Sequence, residues 1–170
     1  MPTPDYVHAL ERAILQATPR LRAISETDSA QPPAPGKWSP RQVIGHLIDS
    51  ASNNHQRFVR AQLQDDLVFP GYEQDAWVAL QHYQDAPWDE LVTLWRAFNL
   101  HLVRVMTVVP DEARLGARAR HSLHEIGFAI PRDAPARLED LMRDYVVHLV
   151  HHLRQIFGAG WSIETPSPSE

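Results

Sequence analysis

Apolar side chains recur every three or four residues along four long segments of the chain, which is the spacing of an amphipathic helix. The segments begin near residues 3, 39, 86 and 136, and proline or glycine residues separate them. No segment has the strict alternation of apolar and polar residues that is typical of a strand. The pattern predicts an all-α protein, a four-helix bundle whose connections are longer than those of a minimal up-and-down bundle.

Capping residues and prolines predict where the first two long helices begin and end. Thr3 is the predicted N-cap of the first helix, with Pro4 at its first helical position, and Pro19 is expected to bend or split that helix. Residues 39–42, Ser-Pro-Arg-Gln, form a capping box with proline at the first helical position. The second helix is expected to run from there to about Leu67.

The remaining segments are bounded in the same way. Residues 28–37 are rich in proline and are predicted to be a loop, and a short helix is expected over 77–83. The third long helix should end at Pro110, and the fourth should cover 136–157. Residues 111–136 are too many for a simple connector, which indicates either a crossover or a functional lid.

Length and composition favour one folded domain. The chain has 170 residues, 44% of them apolar, so residues 1–160 are expected to form a single domain and 161–170 a disordered tail. A net charge of −5 without a dense Lys/Arg patch argues against nucleic acid as a partner. The absence of cysteine excludes disulfides and a thiol nucleophile. Because the sequence has no secretory signal and no apolar run long enough for a bilayer, a cytoplasmic protein without a membrane partner is expected.

Histidine supplies most of the metal-binding capacity, with ten copies in the sequence. His148 and His152 lie four residues apart at the inner edge of the apolar face of the fourth helix, whereas His151 lies off that face. Side chains at this spacing have Cβ atoms about 5–6 Å apart, so two imidazoles can bind one ion. The zinc helices of the His-Glu-x-x-His type use the same spacing. Spacing alone also allows the pair to be hydrogen-bonded packing residues.

A third ligand is needed because catalytic sites with one metal ion usually have three protein ligands. The candidates are His46 and His55 on the second helix. Helical periodicity favours His55, which lies within the apolar stripe, while His46 lies well off it. Asp49, one turn after His46, is a candidate to orient an imidazole. The remaining histidines are expected at the surface, in packing positions or in the 111–136 connection: His8, His82, His101, His121 and His124.

Several motifs in order along the chain resemble the DinB superfamily and, within it, the YfiT-like branch. Residues 35–58, PGKWSPRQVIGHLIDSASNNHQRF, are similar to the family's Pro-Gly-x-Trp-Ser/Thr-x-Arg-Gln-Val and the following His-x-x-Asp-Ser-x-x-Asn-x-x-x-Arg-Phe. Tyr72 and Trp77 match a Tyr-x-x-x-x-Trp, and residues 148–156 match a His-x-x-x-His followed by isoleucine. The resemblance covers residues 19–158 and implies the fold of a DinB/YfiT-like four-helix bundle.

The resemblance implies a metal triad of His46, His148 and His152, with His55 as the alternative to His46. Zn²⁺ and Ni²⁺, and after them Fe²⁺, suit three imidazole donors. No side chain is singled out as catalytic, because a metal-bound water or thiolate is expected to react. Candidates for supporting the ligands or binding a substrate are Asp49, Asn53, Arg57 and Gln155, the last of which stands where a relative has a further histidine.

The family resemblance implies a thiol S-transferase that joins a low-molecular-weight thiol co-substrate (bacillithiol, mycothiol or glutathione) to an electrophilic small molecule. A metal-dependent hydrolase of a small substrate is the second hypothesis, and a non-catalytic metal-binding stress-response protein is the third. Arg57, Arg154 and residues 118–121 are candidates for contacts with an anionic thiol. A homodimer is expected, in which Trp88 and Trp95 lie either in the core or at the interface.

Overall fold

Four long helices form a bundle in the computed structural model, which describes residues 3–128 and 130–163. Their bounds, with those of the short helices between them, are α1 (Asp5–Arg22), α2 (Glu26–Ser29), α3 (Pro40–Arg60), α4 (Gln74–Leu80), α5 (Trp88–Val108), α6 (Asp111–Leu115), α7 (Leu123–Ile126) and α8 (Leu138–Phe157). The long helices α1 and α3 each pack against both α5 and α8. The described residues contain two isolated β-bridges and no strand, so the predicted all-α four-helix bundle is confirmed.

The apolar faces of the long helices meet in one continuous core. Trp88 is 3% exposed and Trp95 is fully buried, so both side chains of α5 belong to the core of the chain itself. Trp88 also donates a hydrogen bond from its indole nitrogen to the carbonyl of Leu21, 2.9 Å away, which ties the start of α5 to the end of α1. No described helix is both long and apolar enough to span a membrane. The largest fully buried side chains include Tyr6, Leu10, Ile14, Ile44, Leu47, Phe58, Trp95, Leu102 and Tyr145.

The first helix differs from its prediction at both prolines. Pro4 is the N-cap residue, and Thr3 does not cap the helix, which begins at Asp5. The helix also continues through Pro19 to Arg22 instead of splitting. A proline removes one backbone hydrogen bond, but here the loss falls in the last turn. Buried neighbours on both sides of Pro19, Ala17 and Leu21, hold that turn against the core.

Helix α3 begins as predicted and ends earlier than predicted. The Ser39 hydroxyl accepts a hydrogen bond from the Gln42 amide at 3.3 Å, and the Gln42 side chain accepts one from the Ser39 amide at 3.0 Å. This reciprocal pair is the predicted capping box. The helix stops at Arg60 instead of Leu67 because the chain turns there. The turn buries Leu67, whose amide donates to the carbonyl of Arg120 at 3.1 Å.

We expect Ser39→Ala to destabilise the protein by about 1–2 kcal/mol, since the change removes an N-cap. The same hydroxyl donates a 2.6 Å hydrogen bond to the Gln84 side chain, which would lose its partner. Urea denaturation would measure the change. Ser52→Ala is the matched control within α3, because no hydrogen bond of the Ser52 side chain is found among the described residues. Equal stabilities of the two variants would contradict the assigned cap.

The connections are anchored to the bundle at several points. The short helix expected over 77–83 lies at Gln74–Leu80, and α2 extends into the first two residues of the segment predicted to be a loop. In the long 111–136 connection, Arg118 and Ala136 exchange backbone hydrogen bonds of 2.8 and 3.0 Å. The Arg118 side chain also donates to the carbonyl of Ala61 at 3.1 Å, just after α3, and this anchors the connection to the bundle. Part of the connection becomes a wall of the cleft described below.

Packing continues past the predicted domain boundary at residue 160. Trp161 is 5% exposed and Ile163 is 9% exposed, and both belong to the core cluster. The Trp161 carbonyl accepts a 3.1 Å hydrogen bond from Arg154. The rest of the predicted tail, residues 164–170, lies outside the described residues.

Candidate metal centre

A cleft of about 780 Å³ opens between α3 and α8. Helix α3 contributes a polar stripe to it, and the four residues of this stripe share one helix face because they are three or four positions apart. Helix α8 supplies the facing wall. Residues 71–75 and 125–128 supply the remaining walls. The polar stripe consists of His46, Ser50, Asn54 and Arg57, and the residues from α8 are Leu141, Asp144, Tyr145 and His148.

Three histidines converge on the wall of this cleft. The Nε2 atom of His148 lies 3.3 Å from Nε2 of His46 and 3.1 Å from Nε2 of His152. One nitrogen from each ring lies within 4.8 Å of the other two. Within the described ranges, no other group of three or more potential His, Asp or Glu ligands is as close together. The structure therefore brings together the three histidines that the family resemblance implies.

Burial keeps the three imidazoles neutral. His46 is 1% exposed and His152 is 8% exposed. Desolvation, followed by the neighbouring imidazoles, lowers the pKa of His46 to about 3 and that of His148 to about 2. Desolvation also lowers the pKa of His152. All three rings are thus deprotonated at neutral pH, which is the state that binds a metal ion.

Gln155 determines which nitrogen of His152 is free to bind. Its side-chain carbonyl oxygen lies 3.1 Å from Nδ1 of His152, and because a carbonyl only accepts, Nδ1 must carry the proton and donate. The Nε2 lone pair of His152 is then directed at the other two imidazoles. A hydrogen bond that fixes the tautomer of a ligand in this way is usual around metal sites. Gln155 therefore orients one histidine of the triad.

The arrangement fits a divalent metal ion. Neutral Nε2 lone pairs that face one another repel, and a shared cation removes that repulsion. Two nitrogens bound to one tetrahedral ion, each at about 2.0–2.1 Å, lie about 3.3–3.4 Å apart. The separations of 3.1 and 3.3 Å in the triad are close to that value. His46 has a buried Nδ1 with no hydrogen-bond partner, so its tautomer is not determined by a neighbour in the described structure.

Trp38 covers one side of the triad. Its ring centroid lies 5.1 Å from that of His46 and 6.4 Å from that of His152, and it is stacked on His152 with an interplanar angle of 26°. His46 and His148 line the cleft on another side. An apolar ring against the ligands limits the access of water, so the cleft is the open side of the site.

Two of the candidate supporting residues, Asp49 and Asn53, have other roles. The Asp49 carboxylate accepts hydrogen bonds from the Tyr83 hydroxyl at 2.8 Å and from the Gln81 side chain at 2.7 Å, and not from an imidazole. Burial raises its pKa. Asn53 donates to the backbone carbonyl of Asp49 at 2.9 Å, within its own helix. Neither residue lines the cleft.

Arg57 is the candidate that does line the cleft. It is 5% exposed, and its guanidinium donates to the carbonyl of Pro70 at 2.9 Å and to the Asn54 side chain at 3.4 Å. No ion pair joins it to a carboxylate among the described residues, so this buried charge retains the capacity to bind an anion. Arg154 and residues 118–121, the other candidates for contacts with a thiol, lie outside the cleft lining.

His55 is not part of the triad, and the preference for it from periodicity is corrected. It follows His46 by nine residues, which is half a turn beyond two full turns of helix, so the two rings point to opposite sides of α3. His55 lies against His101 of α5, with the two Nε2 atoms 3.4 Å apart. The two histidines of the 111–136 connection also lie outside the triad. His121 pairs with the carbonyl of Ala134, and His124 lies near Glu125.

Several residues of the cleft wall were not predicted from the sequence. Tyr145 lies three residues before His148, and its hydroxyl donates a 2.6 Å hydrogen bond to Asn99 of α5. Asp144 accepts a 2.7 Å hydrogen bond from the amide of Phe128 and so holds the connection against α8. The sequence did contain a signal for both residues, because Asp144 and Tyr145 lie four and three positions before His148 and therefore share its helix face. The contribution of residues 71–75 and 125–128 has no local signal, because it depends on how the connections fold back.

The metal-free protein is expected to lose stability as the pH falls below about 6.5, the ordinary pKa of histidine. Because the pKa values of His46 and His148 are lowered to about 3 and about 2 in the folded state, the unfolded chain binds more protons between those values and 6.5. The free energy of unfolding should fall by up to about 1.4 kcal/mol per pH unit for each such histidine. Denaturation of chelator-treated protein at pH 7.5, 6 and 5 would measure this, with His148→Gln as the control that should have a smaller slope. Identical slopes for the two proteins would contradict the buried, neutral state of His148.

Comparisons with known proteins agree with the fold and the family pattern. The model of the DinB superfamily matches residues 9–156. The chain is 22% identical over 162 residues to the "Putative metal-dependent hydrolase YfiT" of Bacillus subtilis (strain 168), an alignment that covers 92% of this chain and 85% of that protein. It is 34% identical over 62 residues to a "Putative metal-dependent hydrolase" of Bacillus mycoides (strain KBAB4), covering 35% of this chain and 36% of that one. The solved structure of YfiT from Bacillus subtilis, described as having an unusual four-helix bundle topology, matches with a TM-score of 0.74 at 21% identity, over 92% of this chain and 87% of that chain.

Proposed function

Because the chain belongs to the DinB superfamily, we propose that it is a metal-dependent enzyme of the YfiT type. Its ligands would be His46, His148 and His152, and its substrates would bind in the adjoining cleft. The observation that carries the proposal is the convergence of three neutral imidazole nitrogens on the wall of a cleft of about 780 Å³. Two relatives, each described as a "Putative metal-dependent hydrolase", support the general assignment to metal-dependent enzymes.

The finer proposal is transfer of a low-molecular-weight thiol to an electrophilic small molecule. A divalent ion held by three imidazoles supplies Lewis acidity, which lowers the pKa of a thiol or a water molecule that binds to it. The chain has no cysteine, so any thiol would come from a co-substrate. The cleft has the volume of a small-molecule site. Its one buried cation, among the lining residues described, is Arg57, which suits a carboxylate of bacillithiol or glutathione.

The chain's own residues would orient the reactants. Gln155 holds His152 in the tautomer that leaves Nε2 free, and Trp38 excludes water from one side of the triad. Arg57 lies eleven residues after His46 on the same face of α3, about 16 Å along the helix axis at the usual rise per residue. An anionic group bound there would leave the reactive end of an extended co-substrate near the triad.

Hydrolysis of a small substrate is the second candidate. Asp144 favours it, because this half-buried carboxylate lies in the cleft one helical turn before His148. A carboxylate at that distance could accept a proton from a water molecule. Glu73, Asp75 and Glu125 add further negative charge to the cleft lining, which is less favourable for an anionic co-substrate than for a neutral or cationic one.

One experiment separates these activities. Protein loaded with Zn²⁺ or Ni²⁺ would be incubated with a chromogenic electrophile, with and without glutathione, bacillithiol or mycothiol, and with a chromogenic ester without thiol. Consumption of the electrophile that requires a thiol would support the transferase, and ester hydrolysis that requires no thiol would support the hydrolase. Both activities should disappear in His148→Ala. Inertness of the fully loaded wild type in every assay would contradict the enzyme proposal.

Arg57→Gln is expected to lower kcat/KM for an anionic thiol by about tenfold or more, which corresponds to the loss of one charge-assisted hydrogen bond. The uncharged thiol 2-mercaptoethanol has no anionic group for Arg57 to bind, so its kcat/KM should stay within about twofold. Arg57→Lys keeps the charge and is the matched control. Steady-state kinetics with both thiols would measure the effect. An equal loss with the two thiols would indicate that Arg57 stabilises the fold instead of binding the co-substrate.

A further inference from the structure

A second histidine pair lies between α3 and α5. The Nε2 atoms of His55 and His101 are 3.4 Å apart, and their ring centroids are 5.2 Å apart. His55 is half-buried and His101 is exposed, so the space between the two nitrogens is accessible from solvent. The ring of Phe98 packs edge-on to His55 at 5.9 Å and covers one side of it.

The separation suits two ligands of one ion better than a hydrogen bond. The Nε2···Nε2 separation of 3.4 Å is longer than the range of about 2.7–3.2 Å that is usual for N–H···O hydrogen bonds. Two imidazole nitrogens on a tetrahedral ion lie about 3.3–3.4 Å apart. Burial and the nearby His101 lower the pKa of His55, so its nitrogen is available at neutral pH. Neither ring has another hydrogen bond or ion pair among the described residues.

The two helices hold this pair rigidly and apart from the triad. α3 and α5 pack against each other more extensively than any other pair of helices. Because His55 points away from His46 by half a turn of α3, the two groups of histidines face opposite sides of that helix. An ion bound at one group therefore has no ligand in common with an ion bound at the other.

We propose that His55 and His101 form a second metal-binding site for a late first-row divalent ion, with Cu²⁺ preferred over Ni²⁺ and Zn²⁺. This preference follows the usual order of affinities for nitrogen ligands. With two protein ligands and water in the remaining positions, the site is weaker and more exchangeable than the three-histidine group, whose ligands are buried. It is independent of the proposed enzymatic function, because it shares no residue with the cleft.

The test is calorimetric titration of metal-free protein with Ni²⁺. Wild type should give two binding events, one tight and one weak. His101→Ala removes one of the two proposed ligands at an exposed position and should abolish the second event, because a single imidazole does not hold the ion stably. His148→Ala should remove the tight event and leave the weak one. His8→Ala, at an exposed position of α1, is the matched control and should leave both unchanged.

Zn²⁺ provides an independent measurement of the same site. In long-range ¹H–¹⁵N spectra of the imidazoles, excess Zn²⁺ should shift the Nε2 resonances of His55 and His101 in wild type and in His148→Ala. A weak event that survives in both His101→Ala and His55→Ala would overturn the proposal. The absence of any Zn²⁺-dependent shift at these two nitrogens would overturn it as well.

Discussion

His148→Ala is expected to abolish stable metal binding and to lower the activity of the metal-supplied enzyme by about two to three orders of magnitude or more. The reason is the central position of this residue in the triad. Its Nε2 atom lies 3.3 Å from that of His46 and 3.1 Å from that of His152. Alanine at position 148 leaves only the imidazoles of His46 and His152. Two protein ligands are too few for a stable catalytic metal site.

The measurement is competition for Zn²⁺ between the protein and a chromophoric chelator, together with turnover at saturating metal. His8→Ala is the matched control, because His8 is an exposed histidine of α1 and lies outside the three-histidine group. It should retain both affinity and turnover. Unchanged Zn²⁺ affinity in His148→Ala would remove His148 from the ligand set.

Gly45→Ala is expected to destabilise the protein by about 2–3 kcal/mol, the cost of overpacking a filled core. A Cβ atom at Gly45 would lie 2.2 Å from two carbon atoms of the Tyr83 ring. At a solvent-exposed position of a helix, alanine is more favourable than glycine by about 1 kcal/mol. Helix propensity alone would therefore predict a stabilised protein, which is the opposite of the result expected here. The damage should extend to the site, since Tyr83 holds Asp49 and residue 46 follows directly in α3.

Thermal and urea denaturation would measure this loss, and Gly160→Ala is the control. A Cβ atom at Gly160 would contact nothing within 4 Å, and no positive φ is found there. Gly160→Ala should therefore be neutral, while Gly45→Ala should unfold at a lower temperature and a lower urea concentration. A stabilised Gly45→Ala protein would mean that Tyr83 does not occupy the position described against α3.

The parts of the fold that depend on local patterns were predictable. The capping box at Ser39, the third helix up to Pro110 and the fourth helix up to Phe157 all follow from signals within a few residues. Pro19 misled the prediction because its local preference was outweighed by the buried neighbours of the last turn of α1. The end of α3 was misplaced because the turn after Arg60 depends on a contact with the 111–136 connection.

Two of the three histidines of the candidate metal centre were predictable from spacing alone. His148 and His152 share a helix face, which the four-residue spacing determines. His46 could not be found in that way, because periodicity treats a polar residue off the apolar stripe as exposed. Helix α3 in fact buries a polar face that includes His46, Ser50, Asn54 and Arg57, since this face borders a cleft instead of solvent. The family motif singles out His46 regardless of its hydropathy, and the structure places this residue beside His148 and His152.

Supporting residues were the hardest to predict, since their partners are distant in the sequence. Asp49 was a reasonable candidate to orient His46 one turn away, yet its carboxylate is held by Gln81 and Tyr83 from a segment more than thirty residues later. Gln155 does contact His152 of the triad, and its three-residue spacing from His152 is a local signal that was available.

Metal content per chain tests the central claim most directly. Protein purified without an affinity tag would be supplied with Zn²⁺ or Ni²⁺, dialysed against metal-free buffer and analysed by elemental mass spectrometry. The variants are His46→Ala and, as its control on the opposite face of α3, His55→Ala. We expect about one retained ion per chain in wild type and in His55→Ala, and almost none in His46→Ala, because an ion that is retained through dialysis needs about three protein ligands. A wild type that retains no ion, or a His46→Ala protein that retains as much as wild type, would contradict the proposed metal centre.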